Sequence, residues 1–146
     1  MSEQNKKADG STTQLMSKLL KSSAVEPFIE SHVSALNIQP FHHQLRFLMA
    51  EKHVSTSLLQ TLTHMDQSYC YMLQNGRRKP SREMVFRIAL ALKLSIEETN
   101  QLLNALEMRA LYARDQRDAI IVFALIHSLT LDDVNDKISQ FKLKLI

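Results

Sequence analysis

Positive charge is gathered into one stretch of this chain. Between residues 67 and 93 stand Arg77, Arg78, Lys79, Arg82, Arg87 and Lys93 against the single carboxylate of Glu83, a local balance of +5 in a 146-residue chain whose net charge is +3. Everything outside that stretch sums to −2. Guanidinium and ammonium groups concentrated in this way are the electrostatic footprint of a surface that meets phosphates. Other chemistries find little support. There is no Gly-rich phosphate loop, no nucleophile elbow and no close set of carboxylates and histidines, so no enzymatic activity is expected. His42 and His43 are adjacent and point to different faces of any helix that holds them, which precludes an i, i+4 metal pair; His53, His64 and His127 have no companion ligand nearby. No metal and no cofactor are expected. Cys70 is the only cysteine; it reads as a small packing residue, and Arg114, Asp115, Arg117 and Asp118 read as a solvated charge cluster around a helix start.

The elements that must position the cationic stretch are short helices. Hydrophobic residues make up 45% of the chain, while there are only 2 glycines and 3 prolines, a balance that favours an all-α fold over sheets. A single cysteine rules out an intrachain disulfide framework and fits a reducing compartment; the N-terminus is polar, and no apolar run reaches the roughly 18 residues of a membrane span. The expectation is a cytoplasmic protein with no membrane partner.

Residues 1–10 lack apolar periodicity and read as a disordered tail. Residues 11–39 read as an N-terminal helical segment: Leu15, Met16, Leu19 and Leu20 recur at helical spacing, and Val25, Phe28, Ile29, Val33 and Leu36 repeat the pattern in a second helix that starts near Ala24, with Pro27 in its first turn. Residues 40–106 contain five short helices. The first runs from Phe41 toward His53; Ser55 caps one over Thr56–Thr63; Asp66 caps one from Gln67 to about Asn75, which Gly76 closes; Ser81 and Ser95 cap the fourth and fifth. Residues 107–146 form a C-terminal extension, with helices over Asp115–Ser128 and Leu131–Phe141.

The stretch from Asp66 to Ser81, with its Asn75-Gly76-Arg77-Arg78-Lys79-Pro80-Ser81 core, resembles the recognition helix and following loop of the lambda-repressor-like, or xenobiotic-response-element, family of helix-turn-helix regulators. Ile88 to Ser95, followed by Glu97 and Glu98, looks like that family's fourth helix and its link to the fifth. The likeness covers roughly Phe41 to Leu106. Tyr112 to Ile121 resembles an extension found in a bacterial subgroup. The chain departs from the pattern at His64, where the family often has Gly, and at Gln60, where Ala is common.

The resemblance implies sequence-specific binding of double-stranded DNA and regulation of transcription. Gln67, Ser68 and Met72, with Tyr71 nearby, align with base-contacting positions; a Gln amide pairs bidentately with adenine N6 and N7. Arg77, Arg78, Lys79 and Arg82, together with Ser55, Thr56 and Ser57 at the start of the second helix, align with phosphate contacts. A homodimer is the assembly that a reader of short half-sites calls for; the C-terminal helices are either its interface or the completion of a monomer core. The alternative is a protein-interaction adaptor that keeps the helix-turn-helix fold and uses its Tyr-rich third helix to bind a protein partner.

Overall fold

The computed structural model describes residues 12–26 and 39–146. The chain divides into two units, residues 1–38 and Gln39–Ile146. Among the described residues every regular element is an α-helix, eight in all, with no strand. None is long and apolar enough to cross a membrane.

In the first unit, α1 spans Thr12–Lys21. Lys18 and Lys21 lie in its last turn, where the helix dipole favours cations. The chain is helical again at Val25 and Glu26. The rest of the expected second helix, with Phe28, Ile29, Val33 and Leu36, and the expected disordered tail lie outside the described residues.

The second unit contains α2 (Phe41–Glu51), α3 (Thr56–Thr63), α4 (Gln67–Gln74), α5 (Arg82–Leu92), α6 (Ile96–Ala105), α7 (Gln116–His127) and α8 (Leu131–Gln140). Six of these helices begin on a side-chain cap: Ser55, Asp66, Ser81, Ser95, Asp115 and Thr130 each accept a hydrogen bond from the third backbone N–H of the helix that follows. Such a bond satisfies one of the first-turn donors that have no intrahelical partner.

The helix ends share a second rule. His53, Lys93, Glu107, Ser128 and Lys142 all take left-handed backbone conformations just after a helix. The next residue's N–H then reaches back five positions: Val54 to Met49, Leu94 to Ala89, Met108 to Leu103, Leu129 to Ala124 and Leu143 to Ile138. Each closing residue is apolar and packs on the core. This is the Schellman closure with its hydrophobic contact, written as a polar residue followed by an apolar one, with no glycine involved. Among the described residues glycine appears only at Gly76, after α4, with φ +80°. A Cβ there would lie 2.9 Å from His42 Nδ1.

α5 is the hub of the core. Val85, Phe86, Ile88, Ala89, Leu90 and Leu92 are buried on it, and it packs against α3, α6, α7 and α8. α2 lies against α4 and α6, supplying Phe41, Leu45, Leu48 and Met49. α7 and α8 add Ile121, Ala124, Leu131, Val134 and Ile138 to the same core cluster. They are therefore part of the packed unit, not an appendage to it.

Candidate nucleic-acid interface

The cationic stretch hangs from α3 and α4. The turn between these helices is Thr63-His64-Met65-Asp66, and His64 supplies its left-handed residue at φ 57°, a conformation histidine accepts more readily than branched side chains do. Met65 is buried beneath the turn, and Asp66 Oδ1 accepts from the N–H of Tyr69 at 2.7 Å to start α4. Leu59 on α3 with Cys70 and Leu73 on α4 close the inner face. Gln74 Nε2 donates to Thr56 Oγ1 at 3.0 Å and to the Cys70 carbonyl at 3.1 Å, tying the end of α4 to the start of α3. Arg87 Nη1 donates to the Thr63 carbonyl at 3.2 Å, anchoring the last turn of α3 on α5.

With its inner face fixed, α4 turns Gln67, Ser68 and Tyr71 outward; all three are exposed, and Tyr71 keeps half of its surface. Met72 is half-buried at the edge of the stripe. Asn75 extends it at the i+8 position and is exposed, with Oδ1 accepting from the N–H of Arg77 at 3.1 Å. Asn75 is absent from the positions singled out in the sequence analysis, although the i, i+4, i+8 spacing from Gln67 through Tyr71 points to it. Neither α7 nor α8 is among the helices packed extensively on α3 or α4.

Beyond Gly76 the backbone N–H groups of Arg77 and Arg78 both reach the Met72 carbonyl, at 3.0 and 3.2 Å. Their side chains and that of Lys79 are exposed. Arg78 leans toward Tyr69, its guanidinium carbon 6.0 Å from the ring centroid. Burial pushes the Tyr69 phenol above its ordinary value despite Arg78. Ser55 and Ser57 are exposed at the start of α3, whereas Thr56 is half-buried and its hydroxyl is engaged with Gln74. An open depression beside the turn is lined by Ser57, Gln60, Thr61, His64, Met65 and Asp66.

Arg82 stands apart from the other expected phosphate contacts. Its guanidinium turns inward, donating to Asp118 Oδ2 at 2.7 Å and to the carbonyls of Arg109 at 2.6 Å and Ala110 at 3.3 Å. It also lies over the Phe86 ring at 5.1 Å. The reading of a solvated charge cluster around the start of α7 holds for Arg114, which is exposed, and needs correction for Arg117 and Asp118 for the same reason. Asp118 is 2% exposed and accepts a second bond from the Tyr112 N–H at 3.0 Å, while Arg117 meets Glu83 at 3.3 Å. These groups join α5 to α7 and to the connection before it. Asp115 caps α7, and its carboxyl lies below its ordinary value through the Asp118 N–H first and Arg109 next, against the opposing effect of burial.

Cys70 is fully buried; burial, then the nearby Asp66 charge, pushes its thiol up, away from the thiolate form that reacts. Among the described residues no three His, Cys, Asp or Glu side chains converge as a metal site would require. Comparison with family models, with curated proteins and with solved structures gives no match.

Proposed function

We propose that this chain is a sequence-specific double-stranded DNA-binding regulator of transcription, with α2 to α6 forming a lambda-repressor-like unit whose α4 enters the major groove. The observation that carries this reading is the uncovered stripe Gln67, Ser68, Tyr71 on a short capped helix, next to three exposed cations at Arg77, Arg78 and Lys79. The stripe presents an amide, a hydroxyl and an aromatic edge, which suit base edges, and the cations suit phosphates on either side. Ser55 and Ser57 offer further phosphate contacts at the N-terminus of α3, where the helix dipole favours an anion. A cytoplasmic location fits this role. Two-fold operators are read by homodimers, and the exposed Phe123 and Ile126 on α7 are apolar surface of the kind such a dimer buries.

Binding to duplexes selected from a random pool, measured against salt, tests the reading. Affinity should fall steeply as salt rises, and Arg78→Ala or Lys79→Ala should reduce the slope by about 0.9 for each phosphate left without its cation. Gln67→Ala should weaken selected sites by about 1–3 kcal/mol and leave random duplex nearly unchanged. Equal weakening on both would remove Gln67 from base readout. Negligible binding at low salt would remove the DNA reading altogether. The adaptor reading then gains, because Leu58 and Leu62 on α3, at i, i+4 spacing, and Tyr71 on α4 are exposed apolar side chains of the kind a protein partner covers.

A further inference from the structure

The basic loop has a neighbour distant in sequence. The His42 ring, in the first turn of α2, lies against Gly76, close enough that a Cβ there would meet Nδ1 at 2.9 Å and Cε1 at 3.0 Å. The His43 ring is set edge-on to His42 with centroids 4.4 Å apart. His43 and Arg46 are exposed and His42 is half-exposed. Gly76 leads directly into Arg77, Arg78 and Lys79. Two imidazoles and four fixed cations thus come from two segments that meet at a single glycine.

We propose that the duplex-facing surface extends past the basic loop onto the start of α2, where His42 and His43 take up protons against a DNA phosphate, so that affinity for duplex rises as pH falls. This rests on the DNA-binding reading above and adds a partner group and a control to it.

The surroundings of His42 supply positive charge and little to balance it. Partial burial first, then His43 and Arg46, hold its imidazole below the ordinary histidine value. Of the helices packed on α2, α4 carries no charged side chain, only the titratable Tyr69, Cys70 and Tyr71. Asp66 caps the far end of α4. α6 carries Glu97 and Glu98, and Glu98 pairs at 3.4 Å with Lys52, beyond the opposite end of α2. Among the described residues no carboxylate pairs with this end of α2, and a phosphodiester anion lying across the loop would supply that counter-charge. It favours the charged imidazole, so binding and protonation are linked.

The sign follows from that linkage. The imidazole's value is higher in the complex than in the free chain, so the gain is complete below the free value. It vanishes as pH rises through the bound one. Affinity increases about tenfold for each unit by which the duplex raises the imidazole. Each protonated histidine on a phosphate also steepens the salt slope by about 0.9.

The experiment measures binding of the full chain to a random-sequence duplex between about pH 8 and about pH 6, for the wild type, His43→Gln and the double variant His42→Gln/His43→Gln. Glutamine keeps a polar side chain and cannot titrate. Tighter binding and a steeper salt slope at the acid end are expected for the wild type, with both responses reduced in His43→Gln and absent from the double variant. Because His42 packs on Gly76, a second measurement needs no substitution: the His42 and His43 ring resonances are titrated with and without the duplex, and their midpoints should move up when DNA is present. Unmoved midpoints overturn the proposal, as does a pH response that survives in the double variant, which would belong to a titratable group elsewhere in the chain. Absence of duplex binding at any pH and low salt overturns the underlying DNA reading as well; binding that ignores pH overturns only the histidine role.

Discussion

Replacing Arg82 by alanine separates two roles that one cation in a basic stretch can have. In the structure its guanidinium is the shortest partner of the Asp118 carboxylate, at 2.7 Å, and the two side chains keep 22% and 3% of their surface. Without Arg82 the carboxylate retains the Tyr112 N–H at 3.0 Å and a distant Arg109 at 3.9 Å. An almost fully buried charge is then left with one neutral donor and a cation beyond hydrogen-bond distance. Breaking such a pair from one side costs about 3–5 kcal/mol. The partial exposure of Arg82 places its removal near the lower figure, about 3 kcal/mol, which includes the two carbonyls and the Phe86 ring it also serves. For a unit of this size that is a fall in Tm on the order of 10 °C or more. Denaturant unfolding of Arg82→Ala, Asp118→Leu and Arg82→Met/Asp118→Leu measures it. Each single change should be strongly destabilising and the apolar double change much less so, since a well-packed apolar pair often replaces a buried ion pair at little cost. The duplex salt slope, measured where Arg82→Ala is still folded, should equal that of the wild type. A destabilisation in Arg82→Ala below about 1 kcal/mol, or a slope lowered as much as in Arg78→Ala, would refute the assignment of Arg82 to the interior.

Gly76→Ala should destabilise the chain by about 2 kcal/mol, because a left-handed backbone costs an L residue about 1–2 kcal/mol and the new Cβ must displace the His42 ring; an unchanged denaturation midpoint would mean that the loop relaxes freely. Stability should also fall on acidification. Glu98 is pushed up by burial, but the Ser95 N–H bond and Lys52 outweigh this and hold it below its ordinary value. Glu83 is held down by its own backbone N–H and by Arg117, against burial. Groups lowered by folding contribute stability that is present above the unfolded value, about 4.3 for glutamate, and is lost as pH falls through the folded ones. Glu98→Gln should therefore flatten the acid limb of Tm against pH, and an unaltered limb would count against the capping box as its source.

Helix starts are legible in the sequence and helix stops much less so. Ser55, Asp66, Ser81 and Ser95 cap the helices that local pattern assigns to them, because an N-cap is a bond between a side chain and a backbone group three residues away. The start of α4, and with it the outward set of Gln67, Ser68 and Tyr71, follows from Asp66 together with the apolar spacing of Cys70 and Leu73. Glycine, the usual sign of a stop, marks only the end of α4. His64 supplies the left-handed end of α3, and the Schellman closures are carried by His53, Lys93, Glu107, Ser128 and Lys142, residues recognisable only once the apolar residue after each is seen to fold back onto the core. The family likeness rests on the same local stretch around Gly76, and a short motif carries no information about long-range pairs such as Arg82 with Asp118.

That limit bears directly on the charge of residues 67–93. A count of side chains gives a balance of +5 there, but Arg82 and Arg87 spend guanidinium N–H groups on carbonyls and a carboxylate inside the unit. Arg77, Arg78, Lys79 and Lys93 remain exposed, and only the first three are contiguous with the α4 stripe. The outward charge beside the candidate reading helix is therefore three cations per chain. At a pH where the histidines are neutral, those three give a salt slope of about −2.7 per protomer, at about −0.9 for each phosphate neutralised. A value of about −3.6 would require a fourth cation; Arg46, exposed beside the histidines of α2, is placed to supply it, whereas Arg82, next to Lys79-Pro80-Ser81 in sequence, reaches a phosphate only by abandoning Asp118.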